Sequence, residues 1–134
     1  MFYNIFLVAI GGAIGSVMRF FTTELLIRSC KHWGLFIGKF PIGTFVVNVV
    51  GSALAGVAYY FFIKNFNEQS LYMKNFILVG FLGGFTTFSA FSLDFFRLVN
   101  SGNYLLAFTY CTLTVVFSIA LLFLTFYYTR VVFP

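Results

Sequence analysis

Charge is what this chain has least of. Asp, Glu, Lys and Arg together make up 8% of its 134 residues, and the acidic ones are only Glu24, Glu68 and Asp94. A soluble domain carries about 25% charged residues, so a water-soluble fold is excluded. The single histidine, His32, and the two cysteines, Cys30 and Cys111, stand in separate segments. They form no Ser/His/Asp or Cys/His constellation, no metal-ligand spacing and no disulfide framework, so enzyme activity is not expected. Both cysteines read as small buried or interfacial residues, and His32 beside Trp33 as an interfacial loop residue. Eight basic residues raise the net charge to +5. They are scattered through short loops, with no basic helix or RNA-binding signature, so nucleic acid is not an expected partner. Anchoring at the surface of a lipid bilayer accounts for them better. The N-terminal apolar run has neither a basic leader nor a clear cleavage site, and no cleavable signal is expected.

What the chain has instead is apolar length. Hydrophobic residues make up 61%, Phe alone occurs 22 times, and the mean hydropathy is +1.00. Four runs carry no charge: Met1–Met18, Phe40–Ile63, Asn75–Leu93 and Leu98–Thr129. Each approaches or exceeds the roughly 20 residues needed to cross about 30 Å of hydrocarbon. They predict an all-α, multi-pass protein of the cell membrane, a single transmembrane domain over residues 1–134. Its helices are expected at about 3–28, 42–64, 74–97 and 103–129. Pro41 suits the first turn of the second helix, and Ser101-Gly102-Asn103 predicts the turn between the third and fourth.

With four spans, Arg28, Lys31, Lys39 and Arg97 fall on one side of the membrane. Lys64, Lys74 and Arg130 fall on the other, together with the N-terminal amine. Such balance gives no orientation bias under the positive-inside rule. Either other signals decide the orientation or the chain inserts both ways. Dual insertion would permit an antiparallel homodimer whose twofold axis lies in the membrane plane. Four short helices hardly enclose a polar pathway alone, and no internal repeat is evident, so symmetry would come from a second copy.

The polar residues that remain are neutral and grouped. In Gly80–Ser92 the paired glycines Gly83 and Gly84, followed by Thr86 and Thr87, predict a break in the third helix. Unwound backbone at membrane depth survives only when buried in protein or lining a polar cavity, and it marks ion and substrate sites. Phe88 and Phe91, three apart, share a face beyond the break. On the first helix Gly11/Gly15 and Gly12/Ser16 have the spacing of close helix packing. Arg19 beyond them either snorkels outward or lines a polar vestibule, and Glu24 is a poor same-face partner for it. The second helix carries Thr44, Asn48, Ser52 and Ala55 on one stripe. There Asn48 either makes an interhelical hydrogen bond or donates to an anion in a water-poor pore. Tyr110, Thr114 and Ser118 line one face of the fourth helix at steps of four. Thr and Ser can bond back to the preceding turn; the Tyr110 hydroxyl cannot.

The spacing firmly places no ionisable residue at mid-membrane depth, and it leaves the depth of Arg19 open. Asp94 and Arg97 close the third helix as an i, i+3 pair, and Glu24 ends the first. Proton- and cation-coupled carriers generally rely on a buried carboxylate, which is missing here. Hydroxyls, an amide and the positive edges of phenyl rings can replace part of a small anion's hydration without holding it tightly, as conduction requires.

The segments Gly12-x-x-Gly15-Ser16-x-x-Arg19-Phe20, Gly43-Thr44-x-x-x-Asn48-x-x-Gly51-Ser52 and Gly80-Phe81-x-Gly83-Gly84-x-Thr86-Thr87-Phe88-Ser89-x-Phe91-Ser92 stand in order on three successive predicted helices. Together they resemble the signatures of the small bacterial fluoride channels, the Fluc or CrcB-like family, over nearly the whole chain. Ser16, Phe20, Ala90, Asp94 and Thr114 depart from the usual residues. The resemblance implies a passive fluoride-selective channel of a bacterial inner membrane, built as an antiparallel dual-topology homodimer with two fluoride pathways. It implies Asn48 as a pore donor, Phe88 and Phe91 as rings whose edges face fluoride, and Tyr110, Thr114 and Ser118 as a polar track. It also implies a structural sodium ion at the dimer centre, held by the backbone carbonyls of Gly83 and Thr86. Two other classes compete. A small dual-topology exporter of organic cations would need Glu24 as its embedded carboxylate. A non-transporting assembly subunit would use the glycines and Asn48 only to pack helices.

Overall fold

A computed structural model of the chain describes residues 2–30, 39–65 and 68–134. Lys31, His32 and Trp33 lie outside the described residues. The elements run in order α1 (Phe2–Cys30), α2 (Ile42–Lys64), α3 (Glu68–Lys74), a π-helical stretch (Asn75–Leu82), α4 (Gly83–Phe85), α5 (Phe88–Asn100) and α6 (Tyr104–Val132). No strand occurs among the described residues. Among the described residues, four helical stretches are long and apolar enough to cross a membrane: Phe2–Cys30, Ile42–Lys64, Leu71–Asn100 and Tyr104–Val132.

Small residues decide which helices meet. Between two lipid-like surfaces burial offers little, so association rests on close van der Waals approach and interhelical hydrogen bonds. α1 lies against the π-helical stretch and α4, and its buried residues are Gly11 and Gly15. A methyl group on Gly15 would run into Phe81 O and would stand 2.9 Å from Phe85 N. The contact is backbone on backbone. α2 pairs chiefly with α6, where Gly56 abuts Leu122 O and the Thr125 hydroxyl donates to Ala53 O at 2.8 Å.

The remaining turns follow local chemistry. α2 starts just after Pro41, whose carbonyl accepts from Phe45 N at 3.0 Å, and Ile42 N donates to Phe40 O at 2.7 Å. The α5–α6 turn puts Gly102 at φ +74°, a conformation glycine adopts without steric cost. At the far end of the bundle Tyr60 and Lys64 donate to Phe133 O, tying the C-terminal residues to α2. Large apolar side chains such as Phe2, Leu105 and Val131 point outward along the helices, as expected of a surface that meets lipid. Glu24 pairs with Arg28 at 3.6 Å, and Cys30 and Cys111 are half-buried free thiols.

Candidate functional site

Thr86 (φ −80°, ψ 157°) and Thr87 (φ −153°, ψ 123°) are extended and separate α4 from α5. Each backbone group exposed by this change of course must find a partner. Thr86 N–H still reaches Leu82 O at 2.9 Å. Thr87 is served from another helix: its N–H donates to Asn48 Oδ1 at 2.8 Å, and Asn48 Nδ2 donates to its carbonyl at 3.0 Å. The Thr87 hydroxyl then accepts from Ala90 N at 3.2 Å and caps α5, the use for which Thr is favoured at a helix N-terminus. In an unbroken helix the amides of Thr87 and Ala90 would have bonded to the carbonyls of Gly83 and Thr86. Both amides are turned elsewhere.

Asn48 therefore makes the interhelical bond considered for it, and makes it twice. A primary amide has two N–H donors, so one remains beyond the Thr87 bond. Beside it a cleft of about 320 Å³ is lined by Asn48, Ser52, Thr86, Thr87, Phe88, Phe91, Thr114 and Ser118, among others. Five of the six residues expected along an ion pathway thus meet at one surface. The sixth, Tyr110, is fully buried behind it, with its ring centroid 5.4 Å from that of Phe91. Phe88 and Phe91 stand 5.6 Å apart with planes tilted by 39°. Their environments differ: Phe91 is 9% exposed and Phe88 79%.

The hydroxyls divide into two kinds. Thr114 donates to Tyr110 O at 2.7 Å, one turn back along α6. The hydroxyls of Tyr110 and Ser118 are buried and have no hydrogen-bond partner among the described residues. An unsatisfied buried hydroxyl costs about 1–3 kcal/mol, so these two are poised for a ligand or water. Gly83 and Arg19 do not line the cleft. Gly83 is exposed just ahead of the extended residues, and Arg19 is half-buried on α1.

A second cavity, of about 830 Å³, opens at the start of α2 and the end of α5. Its polar feature is a contact that sequence inspection missed. Thr44 donates to Asp94 Oδ2 at 2.6 Å, a charge-assisted hydrogen bond between α2 and α5. Arg97 stands 3.6 Å from the other carboxylate oxygen and is largely exposed, which makes that ion pair the weaker of the two. Lys39, Arg97 and Phe40 also line this cavity, and Arg19 does not. The Tyr110 hydroxyl lies close to Thr44 and Asp94. Thr44 had been visible as a member of a stripe and of the second signature, and Asp94 as half of a helix-end pair and a departure from the usual residues, but nothing in the sequence joined the two.

Comparison with known proteins places the chain in a family. Residues 6–126 match the model of a family described as CrcB-like protein, Camphor Resistance (CrcB). A fluoride-specific ion channel FluC of Azobacteroides pseudotrichonymphae is 45% identical over 104 residues, 78% of each chain. One of Francisella philomiragia is 40% identical over 125 residues, 91% of each chain. One of Coxiella burnetii is 37% identical over 119 residues, 88% of this chain and 87% of its own. Four apolar spans and such relatives make this a multi-pass protein of the cell membrane. On a match that runs through all four of those spans, the chain belongs to the CrcB-like family.

Proposed function

We propose that the chain is a passive, fluoride-selective channel that lets fluoride leave the cytoplasm, working as an antiparallel homodimer with two pathways. The observation that carries this reading is the cleft beside Thr86 and Thr87. It gathers an amide, hydroxyls and two phenyl rings, and none of the residues named on it is ionisable. The relatives named fluoride-specific ion channels support the choice of ion.

Fluoride is small and strongly hydrated, so a pathway must offer substitutes for lost water yet let the ion go. Asn48 has one N–H left, and the Ser118 and Tyr110 hydroxyls have no partner among the described residues. Thr114 must first release the Tyr110 carbonyl, which makes it the less ready donor. The ring edges of Phe88 and Phe91 carry the positive end of the aromatic quadrupole. Phe88 extends away from its own protomer, so its surroundings are completed by a second copy. Arg19, which lines neither cavity, would act at a mouth only with that copy in place.

The antiparallel arrangement also suits a structural sodium ion. The carbonyls of Gly83 and Thr86 lie where Thr87 N–H and Ala90 N–H have been diverted, and freed carbonyl oxygens suit a hard cation. When bound, the ion would supply the positive charge that ties two crossing chains together. Replacing sodium with N-methylglucamine during purification is expected to weaken the dimer, read by cross-linking yield.

The exporter alternative is disfavoured because Glu24, the carboxylate that it would need, is part-exposed and paired with Arg28. The deciding experiment is efflux from liposomes containing purified dimer. Fluoride is expected to leave at least about tenfold faster than chloride, a difference of only about 1.4 kcal/mol in barrier. Equal rates, or no fluoride flux, would overturn the proposal.

A further inference from the structure

Tyr110 packs against one lining residue of each cavity, and Phe40 is one of the two. The Tyr110 ring meets Phe91, which lines the smaller cleft, and Phe40, which lines the larger cavity. The Phe40 contact is edge-to-face, with centroids 5.5 Å apart and planes at 84°. Phe40 has little freedom of its own. It precedes Pro41, which restricts its backbone to extended conformations. Its carbonyl accepts from Ile42 N at 2.7 Å, and its ring packs at 5.6 Å and 71° against Phe45, one turn into α2. It also lines the larger cavity. The Tyr110 hydroxyl, by contrast, has no hydrogen bond among the described residues to fix its direction. Ring packing against Phe40 and Phe91 orients it.

We propose that Phe40 is a positioning residue, which fixes the Tyr110 ring, and with it the hydroxyl, and thereby sets how strongly the pathway prefers fluoride to chloride. The proposal rests on the channel reading above. It adds a residue outside the three sequence signatures and assigns it an effect that passes through Tyr110. A tight site rejects the larger anion only while its donors stay in register, and a loosened donor serves both ions more equally.

The test is a double-mutant cycle on the fluoride-to-chloride efflux ratio, measured in liposomes on proteins that elute as the wild-type dimer. Phe40→Leu is expected to lower the ratio roughly three- to tenfold, the scale of an edge-to-face pair converted at one decade per 1.4 kcal/mol. Phe40→Tyr, which keeps the ring, should restore most of it. In a Tyr110→Phe background the same Phe40→Leu change should alter the ratio by less than about twofold, because its route of action is gone. If Phe40→Leu does not assemble, Phe40→Met fills similar volume with a flexible chain and carries the same comparison. An unchanged ratio in Phe40→Leu, or an equal drop in both backgrounds, overturns the inference while wild-type fluoride flux keeps the channel reading. A wild type without fluoride flux removes both.

Discussion

Asn48 and Tyr110 line up in sequence as two polar groups facing one pathway, yet their replacement should have opposite consequences. Asn48 satisfies both backbone groups of Thr87. Asn48→Leu strands a buried N–H and a buried C=O at about 1–3 kcal/mol each, a loss of roughly 2–5 kcal/mol in stability. Thermal unfolding in detergent followed by circular dichroism should show it as a large drop in Tm. Tyr110→Phe removes a hydroxyl that has no partner among the described residues. Deleting an orphan polar group is close to neutral, so Tm should hold within a few degrees. Fluoride efflux should nevertheless fall about tenfold or more, since a donor aimed at the ion is worth at least about 1.4 kcal/mol in a dry site. A Tyr110→Phe protein that conducts normally would place the hydroxyl off the pathway.

At the scale of the element, the third span and α1 depend on a contact with no room for a Cβ atom. Gly15→Ala would drive a methyl into the Phe81 carbonyl, whereas at Gly12 the same methyl would stand 3.8 Å from Gly80 O, an ordinary contact. Gly15→Ala should cost about 1–3 kcal/mol or more by overpacking and sharply reduce the yield of folded dimer in size-exclusion chromatography. Gly12→Ala should be tolerated. Sequence alone marked both as small residues at helix-packing spacing and did not separate them, because which backbone approaches which glycine is a tertiary fact. The same limit explains the rest. Four apolar spans were legible because the uncharged runs are long. Helical spacing put Phe88 with Phe91 and Thr114 with Ser118 on shared faces, and the family resemblance joined them with Asn48 into one group. The Thr44–Asp94 bond joins positions 50 residues apart, and no local pattern announces it. The π-helical winding over Asn75–Leu82 was equally hidden, since any apolar run serves an i+4 or an i+5 ladder. Phe40 escaped notice because a phenylalanine among 22 carries no signal until its neighbours are known.

At the scale of the whole molecule, the balance of basic residues on the two faces makes insertion a matter of small increments. Ser29 and Asn100 are exposed at helix ends on the side of Arg28 and Arg97. Two added lysines there, Ser29→Lys with Asn100→Lys, should commit the chain to one orientation. If the working unit is antiparallel, that variant alone should lose fluoride efflux. Co-expression with an oppositely biased chain, Asn65→Lys with Val131→Lys, should bring efflux back. Full activity of the first variant by itself would count against dual insertion.

The clasp between Asn48 and Thr87 has a further consequence, in time rather than space. A helix interruption is commonly a hinge, but here the amide, carbonyl and hydroxyl of the same residue are all engaged. Thr87 is held at all three of its polar groups, and the rings just beyond it are carried on that mount. On the channel reading proposed above, a joint clasped in this way is not where the conduit would shut. Currents from single molecules should accordingly be steady, starting without lag and tracking the fluoride gradient. Regulation would then fall to how many copies the cell makes.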